Sequence, residues 1–292
     1  MTQTSPPSNR YQVVSEANRR CYGRPGAAEE YDKTHFLGAH DLEVLDADLK
    51  RALDRLGHPA RRAAALDACG GTGNAALRLQ AMGCDTHLVD ISEEMVGYYR
   101  RQCEARGYPA SAETGEILAF FTRNTRKFDL IVFSSALHHL EDPVLVLRHA
   151  QAALGPGGLI VTIFDPIKAG RAEKVLLEPF RLLDRALTEP RKIFRGFANV
   201  LRRVARGGAR YKHEHVDEIA LSDDNVGSIA EFHGDEGMDD FALAREIERG
   251  TKLRVVHHDR HRAPWGVVTP YARMLLRKPT NFRFLLQNTE GA

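Results

Sequence analysis

The segment Leu66-Asp-Ala-Cys-Gly-Gly-Thr-Gly-Asn74 constrains this chain more than any other, because an apolar run there enters a glycine-rich turn and a helical pattern follows. Glycines let the backbone approach a ligand closely, and a helix N-terminus offers free amide donors. Asp90 closes the next apolar run, Thr86–Val89, 17 residues after Gly73. A carboxylate in that place accepts both ribose hydroxyls of an adenosine. The loop and the acid together predict a nucleoside site at the edge of an α/β sheet.

The rest of the chain extends this pattern. Strands are expected at Ala63–Ala68, Thr86–Val89, Phe128–Phe133 and Leu159–Phe164, with helices at Ala75–Met82, Glu93–Arg106 and Pro143–Leu154 between them. Gly155-Pro-Gly-Gly158 reads as a turn. Near-continuous apolar strands alternating with crossover helices predict a doubly wound, mostly parallel sheet. Leu42, Leu45, Leu49 and Leu53 recur at helix spacing, so about Tyr11 to Leu56 reads as helical. Later, Ala172–Leu187 and Asp239–Arg249 read as helices, and Lys252–His258 and Phe282–Leu286 as strands. The expected divisions are a helical cap (1–60), a cofactor-binding core (61–166), a helical lid or acceptor insertion (167–250) and closing strands (251–292).

Bulk properties narrow the function classes. The 292 residues carry a formal net charge of +2, which argues against wholesale nucleic-acid binding. The polar start, residues 1–10, has no leader-like apolar stretch, and no run reaches the length of a membrane span. A soluble, cytoplasmic protein is expected. Cys21, Cys69, Cys84 and Cys103 match neither a disulfide framework nor a zinc pattern.

Two cofactors suit the loop. Gly71-Thr-Gly-Asn-Ala-Ala76 also fits a dinucleotide fingerprint, which would make the chain an NAD(P)-dependent oxidoreductase. Asp67 favours a different ligand, because a carboxylate in the turn repels a pyrophosphate and attracts the ammonium of a methionine moiety. No second nucleotide-binding half is evident.

Residues 63–164 resemble the class I S-adenosylmethionine-dependent methyltransferases. The resemblance rests on Asp67-Ala-Cys-Gly-Gly-Thr-Gly73, Val89-Asp-Ile-Ser-Glu-Glu-Met95, Ser111-Ala-Glu-Thr-Gly-Glu-Ile117, Phe128-Asp-Leu-Ile-Val-Phe-Ser-Ser-Ala-Leu-His-His-Leu-Glu-Asp-Pro143 and Leu154-Gly-Pro-Gly-Gly-Leu-Ile160. It implies a seven-stranded sheet with an antiparallel last-formed strand near Phe282–Leu286. It also implies that Asp67, Cys69, Gly71 and Gly73 surround the methionine end of S-adenosylmethionine. Asp90 and Ile91 would hold the ribose side, Glu113 or Thr114 would flank adenine, and Ser134 and Ser135 would stand near the sulfonium. Tyr31, in Ala28-Glu-Glu-Tyr-Asp32, resembles a tyrosine laid over the methionine end, or is a core aromatic of the cap. Cys69 departs from the family by replacing a glycine, and its dislike of positive φ predicts a reshaped turn.

Acceptor chemistry is less specified. Methyl transfer from a sulfonium needs an aligned nucleophile with a lone pair, and histidine is a suitable base at neutral pH. His138 or His139, beyond the fourth strand, either faces the acceptor or packs and caps the next helix. His233, in Glu231-Phe-His-Gly-Asp235, is the weaker candidate base. His213-Glu-His215 offers two metal-type ligands without converging partners, so no metal is expected. The basic stretch 190–212 interleaves arginines with Ile193, Phe194, Phe197, Val200, Leu201 and Val204. It suits a lid helix, a guide for an anionic acceptor, or contact with an anionic membrane. Trp265, Phe232, Phe241 and Tyr271 are candidates for an apolar acceptor wall. The expected partner is a small organic acceptor, with a non-catalytic cofactor-binding module as the other alternative.

Overall fold

The computed structural model describes residues 8–34, 39–57, 59–60, 63–168, 170, 216, 220–223, 225–234, 236–262 and 279–290. The described residues form strands β1 (Ala64–Ala68), β2 (Asp85–Asp90), β3 (Ala112–Thr114), β4 (Phe128–Ser134), β5 (Leu154–Pro166), β6 (Leu253–His261) and β7 (Asn281–Asn288). They make one sheet in the order β3-β2-β1-β4-β5-β7-β6. β1 to β5 pair in parallel, and β7 runs antiparallel to both β5 and β6. This is the doubly wound α/β architecture that the alternating pattern predicts. Chain order moves outward from β1 to β3 and then crosses to β4, so the β1–β4 junction is the switch point where ligand crevices form.

The helices are α1 (Asn9–Tyr22), α2 (Ala27–Thr34), α3 (Ala39–Leu56), α4 (Asn74–Ala81), α5 (Glu93–Arg106), α6 (Ile117–Arg123), α7 (Pro143–Ala153), α8 (Val226–Ala230) and α9 (Asp240–Gly250). Buried residues of α3 and α4 cover one sheet face, packing Leu45, Leu49 and Leu79 against Leu130, Val132 and Val161. Those of α6, α7 and α9 cover the other, packing Phe120, Leu147 and Ile247 in one cluster with Ile131 and Phe284. Each such leucine stabilises the fold by roughly 2 kcal/mol, and burial on both faces explains why β4 and β5 read as unbroken apolar runs.

Three expectations are adjusted. The N-terminal helical region is three helices, and α3, anchored by the leucine stripe, is part of the sheet's own covering layer. Gly155–Gly158 stands inside β5 as an excursion: Phe128 pairs with Leu154, but Leu130 pairs with Leu159. The expected helix at 172–187, the basic stretch 190–212, and His213, His215, Trp265 and Tyr271 lie outside the described residues. Among the described residues no helix is long and apolar enough to cross a membrane.

Candidate active site

The carboxyl ends of β1, β2, β4 and β5 open into one cleft of about 1080 Å³. Its floor is the glycine loop. Gly71 lies on the wall at φ 54°, and a Cβ there would meet nothing, so the loop faces open space. Gly73 has φ 87° and serves a different end: a Cβ would come within 2.2 Å of the Tyr99 ring on α5. Gly73 is therefore a packing glycine that seats α4 and is absent from the cleft wall.

Cys69 lines the cleft and takes φ 56°. The turn is not reshaped to spare the cysteine; the left-handed angle is kept at a cost of about 1 kcal/mol. Cys69, Ser135 (φ 55°) and Phe164 (φ 68°) are the non-glycine residues with positive φ among the described residues, and all three line this cleft. They follow β1, follow β4 and lie within β5, so backbone strain concentrates at the strand ends that meet the ligand space.

Asp90 fastens the floor. Its Oδ2 accepts from the Gly71 amide at 2.8 Å and its Oδ1 from the Ser92 amide at 2.9 Å. Burial raises its pKa, and these two amides oppose the rise. Asp67 is fully buried and does not reach the wall; its Oδ2 accepts from the Ala76 amide at 2.8 Å, and its Oδ1 has no hydrogen-bond partner. Burial pushes its pKa up to about 7, with the Ala76 amide opposing and the Asp90 charge adding to the rise.

At the adenine side expected for Glu113 or Thr114, neither residue lines the cleft. Glu113 turns away to pair with Arg123, and Thr114 is exposed, because β3 is a short edge strand. Gly115 and Glu116 take the wall positions instead. Glu116 caps α6 through the Leu118 and Ala119 amides and accepts from the Tyr11 hydroxyl at 2.5 Å. Helix α1 thus straps the mouth, with Tyr11, Asn18 and Tyr22 all on the wall. Asn18 donates to the His139 carbonyl, and Ser92 Oγ donates to the Tyr22 carbonyl. Tyr31 and Ile91 also line the cleft, and the Tyr22 and Tyr31 rings meet edge to face at 6.1 Å. Sequence reasoning missed Tyr11, Tyr22 and Glu116, whose partners lie far along the chain.

Beyond β4, Ser134, Ser135 and His139 line the cleft, whereas His138 is buried behind it. His138 Nδ1 lies 2.9 Å from Asp165 Oδ1, and its Nε2 lies 3.5 Å from Glu231 Oε2. Burial alone would lower its pKa, but the bonds to Asp165 and Glu231 carry it up to about 9. His139 moves down instead, through burial and the neighbouring His138. Its Nδ1 faces the Ala230 carbonyl at 3.0 Å, which can only accept, so Nδ1 carries the hydrogen. Glu231 also accepts from the Tyr22 hydroxyl at 2.9 Å. His233 does not line the cleft: its amide donates to the His138 carbonyl and its ring packs on Phe232. Phe232 is buried against α1 and Phe241 is half-exposed under Arg260, so neither forms an acceptor wall. Asp165 and Glu231 were the overlooked residues, although Glu231 stands two positions from the histidine that sequence reasoning chose.

Residues 39–182 match the family described as "Methyltransferase domain". This stretch is similar to a methyltransferase domain, and its fold is shared by solved methyltransferases. The methyltransferase fold recurs in the structure of magnesium protoporphyrin IX methyltransferase from Synechocystis PCC 6803 with bound SAH. That protein is 11% identical, with a TM-score of 0.57 over 94% of this chain and 100% of the other. An S-adenosylmethionine-dependent methyltransferase from Clostridium acetobutylicum ATCC 824 shares it at 12% identity and TM-score 0.53, over 89% of this chain and 96% of the other. In sequence, the domain is 30% identical over 123 residues to tRNA 5-carboxymethoxyuridine methyltransferase of Escherichia coli K12. That match spans 41% of this chain and 46% of the relative, about half its length.

Proposed function

We propose that this chain is an S-adenosylmethionine-dependent methyltransferase that methylates a small organic acceptor by in-line displacement. The observation that carries the donor assignment is the pair of buried carboxylates, Asp67 and Asp90, at the glycine loop. Asp90 on the wall, with Asp67 buried behind the loop, suits a cationic sulfonium nucleoside with an ammonium group and disfavours the pyrophosphate of NAD(P). In this reading Asp90 takes the ribose hydroxyls, Gly115 and Glu116 flank adenine, and Tyr31, Cys69 and Gly71 surround the methionine portion. Asp67 acts on that portion through the loop. Ser134 and Ser135 stand at the sulfonium, and His139 borders the acceptor.

The small-acceptor reading is supported by the strap: α1 narrows the mouth, and among the described lining residues Asp90, Glu116 and Glu141 are acidic while none is Lys or Arg. Among the described lining residues a phosphate-rich polymer meets no counter-charge. An RNA acceptor is the second reading, favoured by the name of the curated relative. Calorimetric titration with S-adenosylhomocysteine and with NADH tests the donor, and binding of NADH alone overturns it. Release of S-adenosylhomocysteine is then measured with pooled small metabolites and with bulk tRNA. Turnover confined to tRNA replaces the small-acceptor reading, and tight donor binding with silence in both pools favours a non-catalytic module.

A further inference from the structure

His139 lines the cleft with 18% of its side chain exposed. The polar contacts of its ring run through Nδ1, to the Ala230 carbonyl at 3.0 Å and toward Glu231 Oε1 at 3.9 Å. With the hydrogen spent on that carbonyl, Nε2 keeps its lone pair and is bonded to no described residue. The other histidines near the site differ. His138 is held at both ring nitrogens, and the unpartnered Nε2 of His233 is buried. Burial and the adjacent His138 ring, 4.1 Å away between centroids, lower the His139 pKa from 6.5, against Glu231, the Ala230 bond and Asp165. The ring is therefore neutral at pH 7. The space around it is aromatic and acidic. Tyr11, Tyr22, Tyr31 and Phe164 line the cleft, and the Tyr22 ring meets His139 edge to face at 5.5 Å. With Asp90, Glu116 and Glu141 also on the wall, an acceptor that arrives as an anion is repelled. A neutral hydroxyl must lose its proton inside.

We propose that the acceptor is a neutral phenol and that His139 Nε2 is the general base that takes its proton. The assignment rests on the methyltransferase reading of this cleft and narrows it to one acceptor class. An aromatic ring suits a wall of tyrosine and phenylalanine rings. The phenol O–H proton passes to Nε2, an oxygen pair forms the new O–CH3 bond, and the S–CH3 pair returns to sulfur. The positive charge of the sulfonium is thereby exchanged for one on the imidazole, leaving a neutral ether and a neutral thioether. Glu231, on the Nδ1 side of the ring, stabilises that new charge. His138 opposes it, so the proton is passed on to solvent and the base is restored at neutral pH.

Two measurements on the full chain test this. Nitrogen NMR of histidine-labelled protein, with His139→Gln to locate the signals, reads the ring directly. The expected result is a neutral Nδ1–H ring at pH 7; an imidazolium or an Nε2–H ring there overturns the base, whatever the donor. Release of S-adenosylhomocysteine is then followed with 4-methoxyphenol, phenol, 4-cyanophenol and 4-nitrophenol, and with benzylamine as the amine control. Wild type should methylate the phenols. At about pH 8, His139→Gln should lower kcat by about 100-fold or more on 4-methoxyphenol, but by less than about 10-fold on 4-nitrophenol, which is largely ionised and needs no base. Equal losses along the series would make His139 a positioning group, and no loss would make it a bystander; either overturns the base. Turnover of benzylamine alone, or of no probe, overturns the phenol. Calorimetry with S-adenosylhomocysteine on the same proteins separates the claims. Binding retained beside any of these failures leaves the donor reading standing, and no binding by wild type removes that reading itself.

Discussion

At the Asp90 end of the cleft, the side-chain bonds of the two loop carboxylates join residues 2 to 19 positions apart: Ser92 to Asp90, Ala76 to Asp67 and Gly71 to Asp90. At the His139 end the corresponding separations are 27, 91, 121 and 209, for His138 with Asp165, His139 with Ala230, Asn18 with His139, and Tyr22 with Glu231. The near end is made largely of backbone amides that a strand–turn–helix unit must expose somewhere. The far end is made of side chains that meet only after the sheet has closed and α1 and α8 have docked. A local cradle depends on few chain closures, whereas each distant contact needs an ordered loop first. In the proposed reading the Asp90 end, which binds the donor, is the part a whole family can share, and the His139 end, beside the acceptor, is where one chain can differ from another.

Four substitutions probe this contrast, from the largest expected effect down. Asp90→Ala removes two charge-assisted hydrogen bonds at once, the ones that now hold Gly71 and Ser92 and that a ribose would take. Affinity for S-adenosylhomocysteine in calorimetry should drop by about 4 kcal/mol, roughly a thousandfold. Unchanged affinity would break the assignment of the near end as the donor cradle.

Gly73→Ala forces a methyl group into the Tyr99 ring and a non-glycine residue into φ 87°, so thermal unfolding should show a loss of about 3 kcal/mol. Combining it with Tyr99→Leu should restore part of that loss. A Gly73→Ala protein of native Tm would mean that α4 and α5 are not locked together.

Asp67→Asn tests the cradle by pH. Because the folded pKa is raised from 3.8 to about 7, the wild-type carboxylate destabilises the fold progressively as pH rises between those values, and fully above 7. The amide should therefore stabilise the donor-free protein by about 2 kcal/mol at pH 8 and by nothing at pH 4. Denaturant melts at the two pH values check the sign; equal gains at both would rule out titration as the cause. A parallel loss of donor affinity would show that the charge of Asp67 is felt across the loop, and no loss would reduce it to scaffolding.

The smallest effect belongs to Cys69→Gly. Relief of the left-handed strain is offset in part by the looser unfolded chain, leaving a gain of up to about 1 kcal/mol. A loss of stability instead would mean that the half-buried thiol contributes more by packing than its backbone angle costs.

Much of the donor half was legible before any coordinates. Asp67, Gly71 and Asp90 are spaced by a strand, a turn and a helix, so their proximity follows from the motif alone. Strands β1, β2, β4 and β5 were equally readable from alternating apolar runs, whereas β3 entered only through the family resemblance. Glu113 and Thr114, expected beside adenine, do not line the cleft while Gly115 and Glu116 do, because β3 is too short for its end to be read from pattern. Gly73 looked like a ligand glycine, yet its constraint is the Tyr99 ring, which sits on a different helix. Among the histidines, sequence offered His138 and His139 as equals with His233 as the weaker candidate, and only packing separated His139 on the wall from His138 and His233 behind it.

The amino-acid sequence by itself determined the doubly wound sheet, the position of the glycine loop and the acid at its edge, since each follows from short-range periodicity and backbone freedom. The tertiary structure alone decided that α1 straps the cleft, that Glu116 replaces its neighbours on the wall, and that Asp165 and Glu231 bracket the histidine pair. Those meetings depend on how whole elements dock. Side chains brought together from 27 to 209 positions apart leave no spacing in the sequence from which their contact can be read.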